Sequence, residues 1–404
     1  IPDLSDIMRE FNPDVVGISV FTYLYDECCD LIEKLNKLTT APIVLGGPHF
    51  TVFPCDFVDD SRVRMTIRGE ADATILEILD LALSNGGRNY ICQRPSGSDI
   101  PPVNLDFVEG KEFLWDYQIQ LSRGCPYSCT FCNIEQMAGR HMRARNIDEC
   151  LRQIVEAKSR YPNLKSLAIT DDCPTYDINR FKIFLRKLID AKLGMSIWVD
   201  NMRANLLDEE LLALYKDAGG QNICLGTESG DPDIFKSINK GETMEQIVAA
   251  AHLIKKHGLE LGLCFVIGLP GDTGKSHARS MQLAKSLKPD YVFWNMCLPW
   301  PGTEVYRWFE KNGQMGNQRN FSTLVDPRVN FSAPVASSPD FTQEQRVKAW
   351  LKANMTTHKY FTNLHDIGRV WNLALKYRIK RAFIVYFFKT VIPVYCRRIH
   401  NSLA

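Results

Sequence analysis

Short apolar runs alternate with longer amphipathic stretches through the first three-quarters of this chain, and the alternation comes in two blocks. In the first block, DVVGISV (residues 14–20), APIVLGG (41–47) and RMTIRGE (64–70) are rich in β-branched residues and end in glycine or polar residues. Runs that are apolar throughout read as strands buried on both faces, the pattern of a parallel sheet. Between them, residues 25–38 and 71–84 carry apolar positions at helical spacing. Strand alternating with helix predicts a doubly wound, Rossmann-like α/β sheet, whose ligands lie at the carboxyl ends of the strands. Three strands make a small sheet, and the chain opens on Ile1-Pro2 without a methionine. The block therefore reads as the later part of a domain whose opening strands lie ahead of it.

Residues 85–117, with GGRN, RPSGSD and IPPVN, read as an irregular polar connection. The alternation then resumes for six cycles, with strands expected in QIQLSRG, KSLAITD, MSIWVDN, QNICLGTES, LELGLCFVIG and YVFWNMCLP. Helical patterns fall near 147–160, 177–190, 208–218, 243–257, 273–286 and 303–311. Six βα units predict a partial (β/α)6 TIM-like barrel, with function at the carboxyl ends of its strands. Beyond residue 330 a loop-like stretch leads into a mainly helical extension. The expected division is 1–90 for the small sheet, 91–117 for the linker, 118–312 for the barrel and 313–404 for the extension. The tail KYRIKRAFIVYFFKTVIPVYCRRIH is apolar in the middle and basic at both ends, and Lys389 breaks its apolar core below the ~20 residues a spanning helix needs. Burial as a helix capping the barrel is the favoured reading, since aromatic stripes are more often buried than lipid-facing. The alternative is peripheral membrane contact through this C-terminal helix, lying in the interface.

Charge adds little: 48 Lys and Arg balance 47 Asp and Glu, which gives no electrostatic case for nucleic acid. The 13 cysteines are scattered through a long chain without a secretory leader pattern, which points to a reducing, cytoplasmic setting rather than a disulfide scaffold. One cluster stands out. Cys125, Cys129 and Cys132, in LSRGCPYSCTFCN, follow the first barrel strand at CxxxCxxC spacing. Three thiolates hold a 4Fe-4S cluster with one iron left open, whereas a closed zinc site wants four ligands. His141 is near enough to serve as that fourth ligand, and disulfides are the remaining alternative, although three close cysteines cannot pair off evenly. The other ten cysteines repeat no such spacing in the C-terminal third, so they read as core residues rather than a second cluster.

The cysteine loop, with Phe131 just before its third cysteine, resembles the signature of the radical S-adenosylmethionine (SAM) superfamily. The segments GRHMRARNIDE, TDD (170–172), GTESGDPDIFKSINKG (226–241), FVIGLPGDT (265–273) and LPWPGTEVY (298–306) are similar to its cobalamin-binding class, as are GISV, VLGGPHF and RGEAD in the first block. The resemblance implies a cluster whose open iron chelates SAM, and one-electron cleavage to a 5′-deoxyadenosyl radical. It further implies cobalamin and an electron donor such as flavodoxin or ferredoxin.

Residue by residue, the resemblance puts SAM near Phe131, Asp171, Arg203, Glu228, Ser229 and Gly268. Glu228 would accept from ribose hydroxyls or the methionine ammonium, and Arg203 would grip the methionine carboxylate in a bidentate fork. Structural ion pairs are the rival for Glu228, and helix capping for Asp171 or Asp172. Gly268 and Gly271 would let the backbone approach adenine, though an ordinary strand-to-helix turn explains them nearly as well. Ser19, Gly46 and Gly47 would face the cobalamin tail. No DxHxxG motif supplies a cobalt histidine, and His49 reads as an incidental loop residue. Arg140, Arg143 and Arg145 read as a solvated basic face.

The implied reaction is methyl transfer to an unactivated carbon from methylcobalamin. Cyclisation or oxidation of a large substrate (tetrapyrrole, lipid or peptide) is the alternative within the class. A non-catalytic iron–sulfur protein is the rival outside enzymology, and a pure electron carrier needs neither an open iron nor a barrel.

Overall fold

The computed structural model describes residues 3–84, 86–199, 201–316, 325–326, 331–332, 335–357, 371–372, 374–388 and 392. A first helix α1 (Leu4–Phe11) precedes the three expected strands, which form at β1 (Val16–Ser19), β2 (Ile43–Gly46) and β3 (Met65–Arg68). They pair in parallel in the order of the chain, with Val16 opposite Ile43 and Val44 opposite Met65. Between them run α2 (Tyr25–Leu38), the short α3 (Pro48–Val52) and α4 (Ile75–Leu83). Helix α2 forms because Cys28, Ile32 and Leu35 recur on one face and are buried, while acids occupy its first turn and Lys37 its last.

A fourth strand, β4 (Asn89–Ile91), extends this sheet where residues 85–117 read as an irregular connection. Three residues with the pattern Asn-Tyr-Ile are too short to carry a period, so only pairing with β3 reveals them. The rest of that connection contains single 3-10 turns at Gly97–Asp99, Leu105–Phe107 and Lys111–Phe113.

Six barrel strands form, five of them within the expected segments; the first starts earlier, at Asp116, and ends at Ile119, while the later part of QIQLSRG joins a separate antiparallel pair. They are β5 (Asp116–Ile119), then, after a small antiparallel pair β6 (Ser122–Arg123) and β7 (Arg143–Ala144), β8 (Ser166–Ile169), β9 (Ser196–Val199), β10 (Asn222–Glu228), β11 (Glu260–Ile267) and β12 (Tyr291–Met296). Strands β5, β8 and β9 form one parallel sheet and β10, β11 and β12 another. A single bridge, Ile197 to Gly220, joins the two halves. The crossovers are α5 (Ile134–Met137), α6 (Ile147–Arg160), α7 (Ile178–Ala191), α8 (Glu209–Asp217), α9 (Pro232–Ser237), α10 (Met244–Lys256), α11 (Gly274–Leu287) and α12 (Glu304–Asn312). Their starts are chemically marked: Asn146 accepts from two first-turn amides of α6, and Thr243 with Gln246 closes a capping box on α10.

Alternate positions along β5, β9, β10 and β11, such as Tyr117, Ile197, Leu225 and Leu263, are buried in the main core. The intervening Gln118, Trp198, Cys224 and Cys264 keep part of their surface accessible. The interior of this half-closed barrel is therefore not packed shut, unlike a complete one.

The C-terminal extension is structurally part of the barrel. Short strands β13 (Gln314–Met315), β14 (Val325–Asp326), β15 (Phe331–Ser332) and β16 (Ala336–Ser337) lead to α13 (Gln343–Thr357). This helix buries Arg346, Val347, Trp350 and Leu351, and the Trp350 indole N–H donates to the Trp294 carbonyl of β12 at 2.8 Å. A last described helix, α14 (Lys380–Tyr386), buries Phe383 and Tyr386 and leaves Ile384 and Phe388 exposed. Lys389 and the end of the tail from residue 393 lie outside the described residues, as does Cys396. Among the described residues no helix is long and apolar enough to cross a membrane.

Candidate active site

The cysteine loop lies where the carboxyl ends of the barrel strands converge, and it is held by backbone from three directions. The Cys125 N–H donates to the Gly139 carbonyl at 3.1 Å, the Thr130 N–H to that of Ile238 at 2.9 Å, and the Val305 N–H to that of Thr130 at 3.2 Å. Side chains complete the mounting: Arg140 donates to the Tyr127 carbonyl at 2.7 Å and Asn239 to the Ser128 hydroxyl at 3.0 Å. Cys125 and Cys129 are half-buried and Cys132 is exposed. The Cys173 thiol donates to the Cys125 sulfur and outweighs burial, lowering the Cys125 pKa to about 7. Burial pushes Cys129 up to about 11 against the pull of the Lys240 ammonium.

Among the described residues no three Cys, His, Asp or Glu side chains converge on a point that would hold a single metal ion. Three thiols spread along one loop suit a body several ångströms across better than one zinc, whose ligands must all lie within ~2.3 Å of it. His141 is exposed and does not complete a four-ligand set. The donor set thus fits a cluster of the 4Fe-4S type.

Asp171 and Asp172 hold this loop from below. Asp171 is almost fully buried, accepting from the Leu121 N–H at 2.6 Å and the Ser122 hydroxyl at 2.5 Å, while Asp172 accepts from the Gly124 N–H at 2.8 Å. Both Asp171 oxygens are taken, so the carboxylate expected to meet SAM instead fastens the strand that leads into the cysteines. Nor does either aspartate cap a helix, since Asp177 caps α7. Burial, partly offset by the hydrogen bonds, raises Asp171 from 3.8 to about 6. An acid that is weaker folded than unfolded favours the folded state at low pH, and that contribution is lost as pH rises through about 6. Wild type should therefore lose about 2 kcal/mol between pH 4 and 7 relative to Asp171→Asn. Denaturant unfolding of both proteins at the two pH values measures this, and parallel profiles would refute the buried-acid assignment.

A compact ion network occupies the wall beside the loop. Glu228 ends β10 at a bulge, with φ of 57°, a conformation that ordinary residues rarely hold without a reason in their surroundings. Its Oε1 lies 3.1 Å from the Lys240 ammonium, which also donates to the Gly226 carbonyl and stands 3.2 Å from Glu242. Burial opposes the charge on Lys240, but Glu228 and Glu242 outweigh it and raise its pKa. Arg203 lies with its guanidinium 3.5 Å from the Tyr127 ring centre and donates to the Lys240 carbonyl at 2.6 Å. Thus Glu228 and Arg203 come together around Lys240, a residue the sequence reading missed. Lys240 sits in the quoted segment twelve residues after Glu228, and only the return of the chain through α9 sets it there. Ser229 is buried and accepts from the Asp231 N–H at 3.1 Å, a local turn leading into α9. Phe131 packs half-buried against the main core.

Gly268, expected to face adenine, has Arg346 of the C-terminal extension as its neighbour on the Cβ side. Its φ is +88°, and a Cβ there would fall 2.4 Å from the Arg346 guanidinium of α13. The arginine from the C-terminal helix fills the space that glycine opens. In the first sheet, a Cβ on Gly47 (φ +97°) would strike the Val20 amide at 2.7 Å and the Ser19 hydroxyl at 2.8 Å. Gly47 is thus required where the turn after β2 crosses the end of β1, beside Gly46 and the exposed Ser19. His49 is completely buried, its ring nitrogens against Thr22 at 3.3 Å and Asp56 at 3.1 Å, so it is a core residue.

The carboxyl end of the small sheet meets the cysteine loop through partly buried charge. Arg123, two residues before Cys125, pairs with Glu70 at 2.9 Å and Asp72 at 2.8 Å, just beyond β3. Arg143 pairs with Glu70 at 2.6 Å. Arg143 and Arg145 were expected on a solvated face, yet both are buried, and Arg145 donates to the Gln120 carbonyl and to Gln153. Arg140 does remain largely exposed. Glu70→Ala leaves Arg143 buried without its anion, at a cost of about 2 kcal/mol. The expected result is faster proteolytic cleavage within residues 85–115, with the barrel fragment surviving. Cleavage at the wild-type rate would show that the ion pairs do not hold the two parts together.

Comparison with known proteins agrees with this arrangement. A family model for the radical SAM superfamily matches residues 119–284, and one for the B12 binding domain matches residues 1–79. The chain thus carries a radical SAM domain preceded by a B12-binding domain. The cofactors that this pair of domains calls for are a 4Fe-4S cluster, SAM and cobalamin. It is 26% identical to an uncharacterized methyltransferase of Pyrococcus horikoshii, over 95% of this chain and 87% of that protein. It is 27% identical to the anaerobic magnesium-protoporphyrin IX monomethyl ester cyclase of Rubrivivax gelatinosus, over 76% of this chain but only 61% of the cyclase. In fold it resembles the radical SAM methyltransferase TsrM of Kitasatospora setae, with a TM-score of 0.68 at 16% identity, covering 91% of this chain and 82% of that one.

Proposed function

We propose that this chain catalyses cobalamin-dependent radical methyl transfer to an unactivated carbon. The observation that carries the reading is the apposition of two strand-end surfaces. The carboxyl end of a B12-type sheet is fastened by Glu70 and Asp72 to Arg123, two residues from the first of three cluster-type cysteines. When bound, the cluster and SAM supply a radical that removes a substrate hydrogen, and the corrinoid supplies the methyl group. The protein's part is placement. Cys125, Cys129 and Cys132 hold the cluster, while Glu228, Lys240 and Arg203 offer both signs of charge to the amino-acid end of SAM. Ser19 and Gly46 flank the surface that takes cobalamin. Electrons arrive singly from a flavodoxin- or ferredoxin-type donor at the exposed Cys132 side of the loop.

The similarity to a ring-forming cyclase keeps cyclisation or oxidation as a second reading. Anaerobic protein reconstituted with iron, sulfide, cobalamin and SAM, supplied with a metabolite extract, separates the two by mass spectrometry. Methyl transfer yields a product 14 mass units heavier together with both 5′-deoxyadenosine and S-adenosylhomocysteine; cyclisation yields 5′-deoxyadenosine without S-adenosylhomocysteine and a product that has lost hydrogen. Turnover without methylated product would overturn the proposal.

A further inference from the structure

Cys173 is a fourth thiol at the cysteine loop, and neither the spacing motif nor the proposed chemistry uses it. It follows Asp172 directly, and the Asp172 carboxylate holds the Gly124 N–H at 2.8 Å, so the segment after β8 and the start of the cysteine loop run side by side. In that register Cys173 lies beside Cys125, and the two thiols are hydrogen-bond partners. Cys173 is 1% exposed, yet it forms part of the wall of a cleft of about 180 Å³ together with Pro126, His141, Met142 and Arg180. Cys125 is half-buried and within reach of a small reagent. The other buried cysteines differ: Cys150 and Cys297 lie in the main hydrophobic core and Cys28 in the core of the first sheet.

We propose that Cys125 and Cys173 form a reversible redox pair, with Cys125 the attacking thiol and Cys173 the resolving one. This goes beyond the methyl-transfer reading and needs only that Cys125 be free of metal. Thiolate Cys125 attacks one sulfur of a small disulfide, releasing one thiol and leaving a mixed disulfide. The Cys173 sulfur then attacks the Cys125 sulfur and expels the second thiol. The two cysteines lose two electrons and two protons in total, and the small disulfide takes up both as it becomes two thiols. The product keeps Cys125 at a stage that thiols reverse, short of the irreversible sulfinic and sulfonic acids. While it persists, the first cluster ligand is withdrawn from iron, so cluster loading and disulfide closure exclude each other.

The test uses the full chain, stripped of iron with a chelator, reduced, freed of reductant and incubated with glutathione disulfide. Trypsin divides the thiols conveniently, since residues 124–140 carry Cys125, Cys129 and Cys132, and residues 166–180 carry Cys173 alone. Non-reducing mass spectrometry should find these two peptides joined through Cys125, at least tenfold more abundant than any link within 124–140. Dithiothreitol should release them, and prior loading with iron and sulfide should suppress the link tenfold. In Cys173→Ser, glutathione should remain attached to Cys125. Dominant Cys125–Cys129 or Cys125–Cys132 links, or Cys173 still free to alkylate after Cys125 is oxidised, would overturn the pairing. The wild-type peptide map stands alone if the variant does not fold. Because the link is read without iron, its failure leaves the cluster assignment untouched, and a protein that never takes up iron can still show the link.

Discussion

Replacing Cys125, Cys129 and Cys132 together by alanine should reduce iron from about four per chain to none, with loss of the broad visible absorption. The three thiols share one loop, and its mounting is independent of them: the anchors are the carbonyls of Gly139 and Ile238 and the side chains of Arg140 and Asn239. The variant should consequently keep its circular dichroism and its thermal unfolding, and this separates loss of ligands from loss of fold. Cys150→Ala is the matching control, because it removes a fully buried core thiol far from solvent and should cost stability while leaving iron unchanged. Iron at the wild-type level in the triple variant would remove the cluster from its assigned place.

Glu228→Gln should weaken SAM binding by the reconstituted protein roughly ten- to a hundredfold, the equivalent of about 1.5–3 kcal/mol for a hydrogen bond to a charged group. The substitution keeps the shape of the side chain and leaves Lys240 with Glu242 as its remaining anion. Lys240→Met is the harsher change. It strands Glu228 and Glu242, both shielded from water, without their cation, and removing one partner from a buried ion pair costs about 3–5 kcal/mol. A large fall in melting temperature is therefore expected for Lys240→Met, and an affinity loss at nearly constant melting temperature for Glu228→Gln. Calorimetric titration with SAM beside a thermal scan reads both. If Glu228→Gln lowered stability but left the dissociation constant alone, the network would be a structural brace and SAM would sit elsewhere.

The strands and helices were legible because each satisfies a local rule. The apolar stretches 41–47 and 64–70 are continuous because β2 and β3 are covered on both faces, whereas β1 leaves Gly17 and Ser19 exposed; α2 and α6 carry their buried stripes at helical spacing. The cysteine spacing was equally local. What stayed hidden depends on residues distant in sequence. Asp171 shows no local sign that Leu121 and Ser122 would consume both its oxygens, fifty and forty-nine residues away. Arg143 and Arg145 look like surface charge until Glu70 and Gln153 are brought against them. Lys240 is an unremarkable lysine before a glycine, and its burial between two acids follows from the bulge at Glu228 and the turn of α9. Side-chain chemistry that answers to a neighbour on another strand leaves no period to read.

The seating of Arg346 over Gly268 carries a consequence for how such a chain diverges. The glycine lies at the mouth of the barrel and the arginine on a helix almost eighty residues later, so two segments that look separable share one atom-sized space. A methyl group at position 268 is strained by the φ of +88° and would also push against the Arg346 guanidinium, and a shorter residue at 346 leaves a void over the turn and frees Asp272 and Cys297 from its charge. The glycine is held by its backbone conformation and the arginine by the space that glycine opens, so a chimaera that joins this barrel to a foreign C-terminal segment leaves the turn without its cover. Recombination within this class should therefore find its tolerated breakpoints before residue 118, in the connection between the sheet and the barrel, rather than after β12.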